Sequence, residues 1–82
     1  VYESVPCTVV HDLKIEENTV TFQVEGTEDA QITLEMEAGK EYKIYVDDTN
    51  LGKMKTNLGG KLSFSVELVP NEIATVKIHK VL

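Results

Sequence analysis

The chain has no tryptophan, no arginine and a single cysteine, Cys7, among its 82 residues. Each absence removes a class of function. Without arginine there is no planar fork to grip phosphate or guanine in bidentate fashion. Fourteen acidic side chains against eight basic ones leave a net charge of −6, which repels a nucleic-acid backbone and an anionic membrane surface. The lysines, Lys14, Lys40, Lys43, Lys53, Lys55, Lys61, Lys77 and Lys80, are scattered and form no block. No nucleic-acid partner is expected. One cysteine cannot form an internal disulfide, so the staple usual in small secreted domains is missing, which taken alone points to a reducing compartment. No apolar run approaches the ~20 residues of a membrane helix, and nothing at the start reads as a signal peptide. The first residue is Val1 instead of methionine, and we expect residues 1–82 to be one domain excised from a longer protein.

A domain of this length has a small core. Ordering a residue costs roughly 1.5 kcal/mol while apolar burial returns about 25 cal/mol per Å², so the expected surplus is a few kcal/mol. That leaves little to hold a strained, enclosed active site, and no enzyme is expected.

What the sequence does contain is alternation. Thr19 to Glu25 sets Val20, Phe22 and Val24 against Thr19, Thr21, Gln23 and Glu25, the period of two that belongs to a strand. Gln31 to Glu37 repeats it with Ile32, Leu34 and Met36, Glu41 to Asp47 with Tyr42, Ile44 and Val46, and Lys61 to Glu67 with Leu62, Phe64 and Val66. Terminal strands are expected around Thr8 to Glu16, burying Val10, Leu13 and Ile15, and from Ala74 to Val81, burying Val76 and Ile78. The first breaks parity, which implies a bulge near His11 and Asp12. A short strand at Asn50 to Thr56 completes a count of about seven.

Turn residues separate these runs: Glu17-Asn18, Gly26 to Asp29, Ala38-Gly39-Lys40, Asp47 to Asn50, Asn57 to Gly60 and Pro70-Asn71. Asn18, Asn57, Gly39, Gly59 and Gly60 are the positions expected to take positive φ, and successive strands are expected to be mostly antiparallel neighbours. No window shows helical spacing. One-sided strands need a second sheet to cover them, so the expected fold is all-β, a small antiparallel immunoglobulin-like β-sandwich of about seven strands. The tryptophan and cysteine pair of antibody domains are missing.

Few constellations could carry chemistry. Asp47, Asp48 and Asn50 offer close-set oxygens of the kind Ca²⁺ takes, but the same residues stabilise tight turns, and the bidentate glutamate of a strong site is missing. Glu28 and Asp29 make a second, weaker acidic loop. His11 and His79, with Cys7 and Asp12 as nominal further ligands, follow no zinc spacing, and neither histidine sits beside a glycine-framed nucleophile. Leu58-Gly59-Gly60 lacks the lysine and helix of a phosphate loop and reads as a hairpin turn. The expected catalytic, metal and cofactor sets are therefore empty. Tyr45 falls on the polar side of its strand next to Lys43, where a ring could stack on a sugar or meet another domain.

The run from Gly39 to Ile78, "GKEYKIYVDDTNLGKMKTNLGGKLSFSVEL" followed by "ATVKI", resembles the C-terminal accessory β-sandwich modules of bacterial secreted or surface polysaccharide-processing enzymes. Those show a Tyr-x-Val/Ile-x-Val-Asp-Gly-like strand and turn, a Gly-x-x-Thr/Lys-Thr-Asn strand and a Gly-Lys-hydrophobic-Ser-Phe strand. Here Asp48-Thr49-Asn50 replaces the usual Asp-Gly, which is expected to lengthen the turn. The resemblance implies a non-catalytic accessory module of a larger extracellular or cell-surface bacterial protein, with a cytoplasmic home as the alternative. It implies packing against or spacing of neighbouring domains as the main task, and carbohydrate binding on an exposed strand face, with Tyr45 and Lys43 as contacts, as the alternative. No functional residue carries over from those modules.

Overall fold

Strands with one apolar face bury that face only against a second sheet. The computed structural model, which describes residues 2–81, shows such a two-layer arrangement. Among the described residues there are eight strands: β1 (Tyr2–Val5), β2 (Val9–Ile15), β3 (Thr19–Glu25), β4 (Ala30–Glu35), β5 (Glu41–Val46), β6 (Thr49–Lys55), β7 (Lys61–Val66) and β8 (Ala74–Lys80). They form a three-stranded sheet in the order β1-β4-β7 and a five-stranded sheet in the order β2-β3-β8-β5-β6, with every pairing antiparallel. This is the expected all-β antiparallel sandwich, with one strand more than anticipated.

The extra strand is β1. Its four residues are too short and too polar to announce themselves, yet Tyr2 reaches the core edge-on to Phe22, with ring centroids 5.8 Å apart at 82°. The turn that follows is tied down by side chains. Tyr2 and Thr8 hydroxyls lie 2.6 Å apart, and Ser4 Oγ accepts from the Thr8 backbone N–H at 3.1 Å.

Only β2-β3 and β5-β6 are sequential hairpins; the other links from β3 onward carry the chain from one sheet to the other. The expectation that successive strands mostly pair was therefore incorrect. The physical reason is that a link of about four residues can serve equally as a hairpin turn or as an arch between layers, and alternation sets the buried face without naming the partner. Asn57 to Gly60 is one such arch. Asn57 stays out of the positive-φ region and instead accepts from Gly59 N (2.8 Å) and Lys61 N (3.0 Å) with its Oδ1, while Asn18 and Gly59 likewise need no positive φ. Gly60 does need it, at φ 77°, and a Cβ there would run into the Met36 carbonyl oxygen.

The core joins Val20, Phe22, Val24, Ile32, Leu34, Tyr42, Ile44, Leu62, Phe64, Val66, Val76 and Ile78 as expected, with Leu68, Ala30 and Ala74 added. Val10, Met36 and Val46 are only half-buried, and Leu13 and Ile15 are exposed, at 51% and 74%. The exposure of Leu13 and Ile15 has a plain cause. A five-stranded layer cannot be covered by a three-stranded one, so its edge strands β2 and β6 overhang. Open grooves of about 520 Å³ and 490 Å³ mark the two flanks, the first lined by Leu13, Ile15, Tyr2 and Leu34, the second by Val46, Leu51, Ser65 and Val66. The bulge expected in β2 is present: pairing slips between His11 and Lys14, and Asp12 takes φ 52°.

One buried polar side chain stands among these residues. Thr56, 4% exposed, donates from Oγ1 to the Glu37 carbonyl at 2.7 Å and accepts from the Lys40 backbone N–H at 3.2 Å. Its own N–H donates to the Lys40 carbonyl at 3.0 Å, so a single threonine clasps the β4-β5 link to the end of β6.

Candidate functional site

In an antiparallel sheet, residues directly opposite one another point to the same side. The outward side chains of the five-stranded sheet can therefore be read row by row. One row runs Lys14, Thr21, Lys77, Tyr45, Asn50 across β2, β3, β8, β5 and β6. The adjacent row runs Thr19, His79, Lys43, Lys53 across β3, β8, β5 and β6. The two rows contain four lysines, a histidine and a tyrosine, and no carboxylate. Lys55 lies on the same face opposite Glu41, so five of the eight lysines share this face of a chain whose net charge is −6.

Local chemistry holds the band in place. Thr19 Oγ1 and His79 Nδ1 share a hydrogen bond of 2.9 Å. Lys43 stands directly opposite Lys53, a like-charged pairing that opposes sheet formation. Among the described residues Lys80 forms an ion pair with Glu37, and His11 Nε2 shares a hydrogen bond of 2.8 Å with Glu25 Oε1; the lysines of the band take part in neither. A shallow concavity of about 380 Å³ opens between Lys43, Tyr45, Asp48, Lys77 and His79, with the tyrosine half-buried in its floor. The expected contact residues Tyr45 and Lys43 thus sit together, and the structure adds Lys77, His79, Lys14 and Lys53 to them. No local motif in the sequence marks that group. Its only signal is parity, since each lysine occupies an outward position of its strand.

The acidic turn has a structural task. Asp47 and Asp48, at φ 49° and 66°, form a two-residue turn between Val46 and Thr49, so the link is tighter than the expected longer one. Positive φ at both central residues is the mark of a type I′ hairpin, which suits strand twist. Asp47 Oδ1 accepts from Thr75 N at 2.9 Å, and Asn50 Oδ1 accepts from Gly52 N at 2.7 Å. Their oxygens are aimed at different backbone groups and do not converge. Asp29 Oδ1 likewise accepts from Leu68 N at 3.2 Å.

The histidines are kept apart. His11 on β2 and His79 on β8 have β3 between them, each engaged with a different neighbour, and Cys7 is exposed in the β1-β2 link. Among the described residues no three histidine, cysteine or carboxylate side chains cluster as metal ligands would.

Lys80 and Glu37 close the rim of the larger groove. The Lys80 ammonium, hydrogen-bonded to Glu37, holds that carboxyl below the usual range, and the same contact raises the lysine.

Comparison with known proteins finds no family model that matches, no similar curated protein and no similar solved structure.

Proposed function

We propose that the domain is a non-catalytic accessory module of a larger, cell-surface or secreted bacterial protein. Its contact surface is the outer face of the five-stranded sheet, and its main task is to pack there against a neighbouring domain or to space it. The observation that carries this reading is the gathering of Tyr45, Lys43, Lys77 and His79 on one open face, where a large partner can reach them all at once. Long-range attraction between such a face and an acidic partner speeds and orients docking. The half-buried Tyr45 ring is the natural anchor, since aromatic anchors contribute ~2 kcal/mol or more at interfaces.

Carbohydrate binding is the second reading. The 380 Å³ concavity favours it, because it brings an aromatic ring and several hydrogen-bonding side chains into one depression. Tyr45→Ala is the test in both cases. In the longer polypeptide the substitution is expected to weaken the contact between domains while leaving the far-ultraviolet spectrum unchanged. A longer protein whose domain contact and glycan binding are both indifferent to Tyr45→Ala would remove this face from consideration.

A further inference from the structure

We propose that the band of lysines across the five-stranded sheet is a track for a linear acidic polysaccharide, one that carries carboxylates along its chain. The inference rests on the carbohydrate reading of the same face and names the ligand class.

Shape is the first argument. Five strands spaced about 4.8 Å apart make the band roughly 19 Å from Lys14 to the β6 edge, while its two rows span only about 7 Å along the strands. A long, narrow strip of charge matches an extended polymer lying across the strands. Composition agrees, since the band offers hydrogen-bonding side chains throughout, one aromatic residue and no aliphatic one.

Charge is the second. Glu25 and Glu41 stand at strand positions of this face and Asp47 and Asp48 at its β5-β6 end, while most of the other carboxylates of the fourteen lie elsewhere and leave the remaining surface acidic. The chain has neither the arginines nor the several stacking rings that nucleic-acid ligands use. An acidic glycan presents carboxylates, which single lysine ammonium groups pair without a guanidinium fork. Between its charges it presents the C–H face of a sugar ring, for which Tyr45, mid-track between Lys77 and Asn50, is the matching surface. Lys43 opposite Lys53 then has a purpose, because an anion placed between two ammonium groups relieves their repulsion.

The test uses the purified 82-residue domain in affinity electrophoresis and titration at low ionic strength. The probes are polygalacturonate, neutral dextran, polyglutamate and single-stranded DNA. Polygalacturonate is expected to bind, and dextran not to. Lys43→Glu/Lys77→Glu should lower affinity by about tenfold or more, because two attractive charges become repulsive. Lys40→Glu/Lys61→Glu, which changes net charge identically outside the band, should leave affinity within about twofold of the parent. Lys40, Lys61 and Lys77 are exposed and Lys43 is half-buried, so a far-ultraviolet spectrum verifies that each variant folds. Failure of polygalacturonate to bind, equal loss in the two double variants, or equal affinity for polyglutamate or DNA would each overturn the proposal. If polygalacturonate fails while Tyr45→Ala still loosens the longer protein, only this inference falls and domain docking stands.

Discussion

Replacing Thr56 separates the value of its methyl group from that of its hydroxyl. Valine keeps the volume and removes two hydrogen bonds, the donation to the Glu37 carbonyl at 2.7 Å and the acceptance from Lys40 N–H at 3.2 Å. A buried group left without a partner costs ~1–3 kcal/mol. Here the flanking residues 37–40 are exposed and water reaches part of the freed backbone groups, so the low end of that range, ~1–1.5 kcal/mol, applies to each. Thr56→Val is therefore expected to lose roughly 2–3 kcal/mol. Serine keeps both hydrogen bonds and gives up one buried methyl, a loss of ~0.8 kcal/mol. For a domain of this size 1 kcal/mol is about 4–8 °C in melting temperature, so the valine variant should melt about 10–20 °C lower and the serine variant about 3–6 °C lower. Thermal unfolding followed by circular dichroism measures both. Equal stability of the two variants, or a serine variant less stable than the valine one, would refute the claim that the hydroxyl clasps the links together.

Gly60→Ala should destabilise by more than the ~1 kcal/mol of a left-handed alanine, because the new Cβ meets the Met36 carbonyl; urea unfolding gives the value, and a neutral result would contradict the close approach. Lys53→Glu turns the like-charged pairing with Lys43 into an attractive one and should stabilise the fold by roughly 0.3–1 kcal/mol while weakening polygalacturonate binding, a trade visible by measuring both on one preparation. The Lys80-Glu37 contact lowers the glutamate and raises the lysine, so its contribution is full between the ordinary carboxylate value near ~4.3 and the ordinary lysine value near ~10.4. It fades as pH falls through the lowered Glu37 value or rises through the raised Lys80 value. Lys80→Met should accordingly trail the parent at neutral pH and converge with it in strong acid; a gap that persists there would point to lost packing instead.

The central strands were legible because alternation over six or seven residues has no rival explanation: Thr19–Glu25 was read residue for residue, and Phe22, Ile44 and Ile78 fall where parity puts them. The same parity carried the basic band, but only once pairing was known. Lys14, Lys43, Lys53 and Lys77 are far apart in the chain, and strand order brings them together. The exposed Leu13 and Ile15 mark the opposite limit. Apolar character says that a side chain gains from burial, whereas coverage depends on how many strands the other layer contains, a property of the whole topology. Thr56 was equally silent, since a threonine at the end of a strand looks the same whether its hydroxyl faces water or two backbone groups.

The position of β8 bears on how this protein comes to be made. It is the last of the eight strands among the described residues and lies in the middle of the larger sheet, between β3 and β5. During synthesis, while the ribosome still covers residues 74–80, that sheet exists only as two detached hairpins with their inner edges bare. All the pairings that join them span long stretches of sequence, Val20 with Ile78 and Thr19 with His79 among them. Sheets assembled from distant segments close slowly. The larger sheet therefore cannot close until residues 74–80 have left the exit tunnel. Until then it presents open strand edges of the kind that chaperones bind and that neighbouring polysomes can entangle.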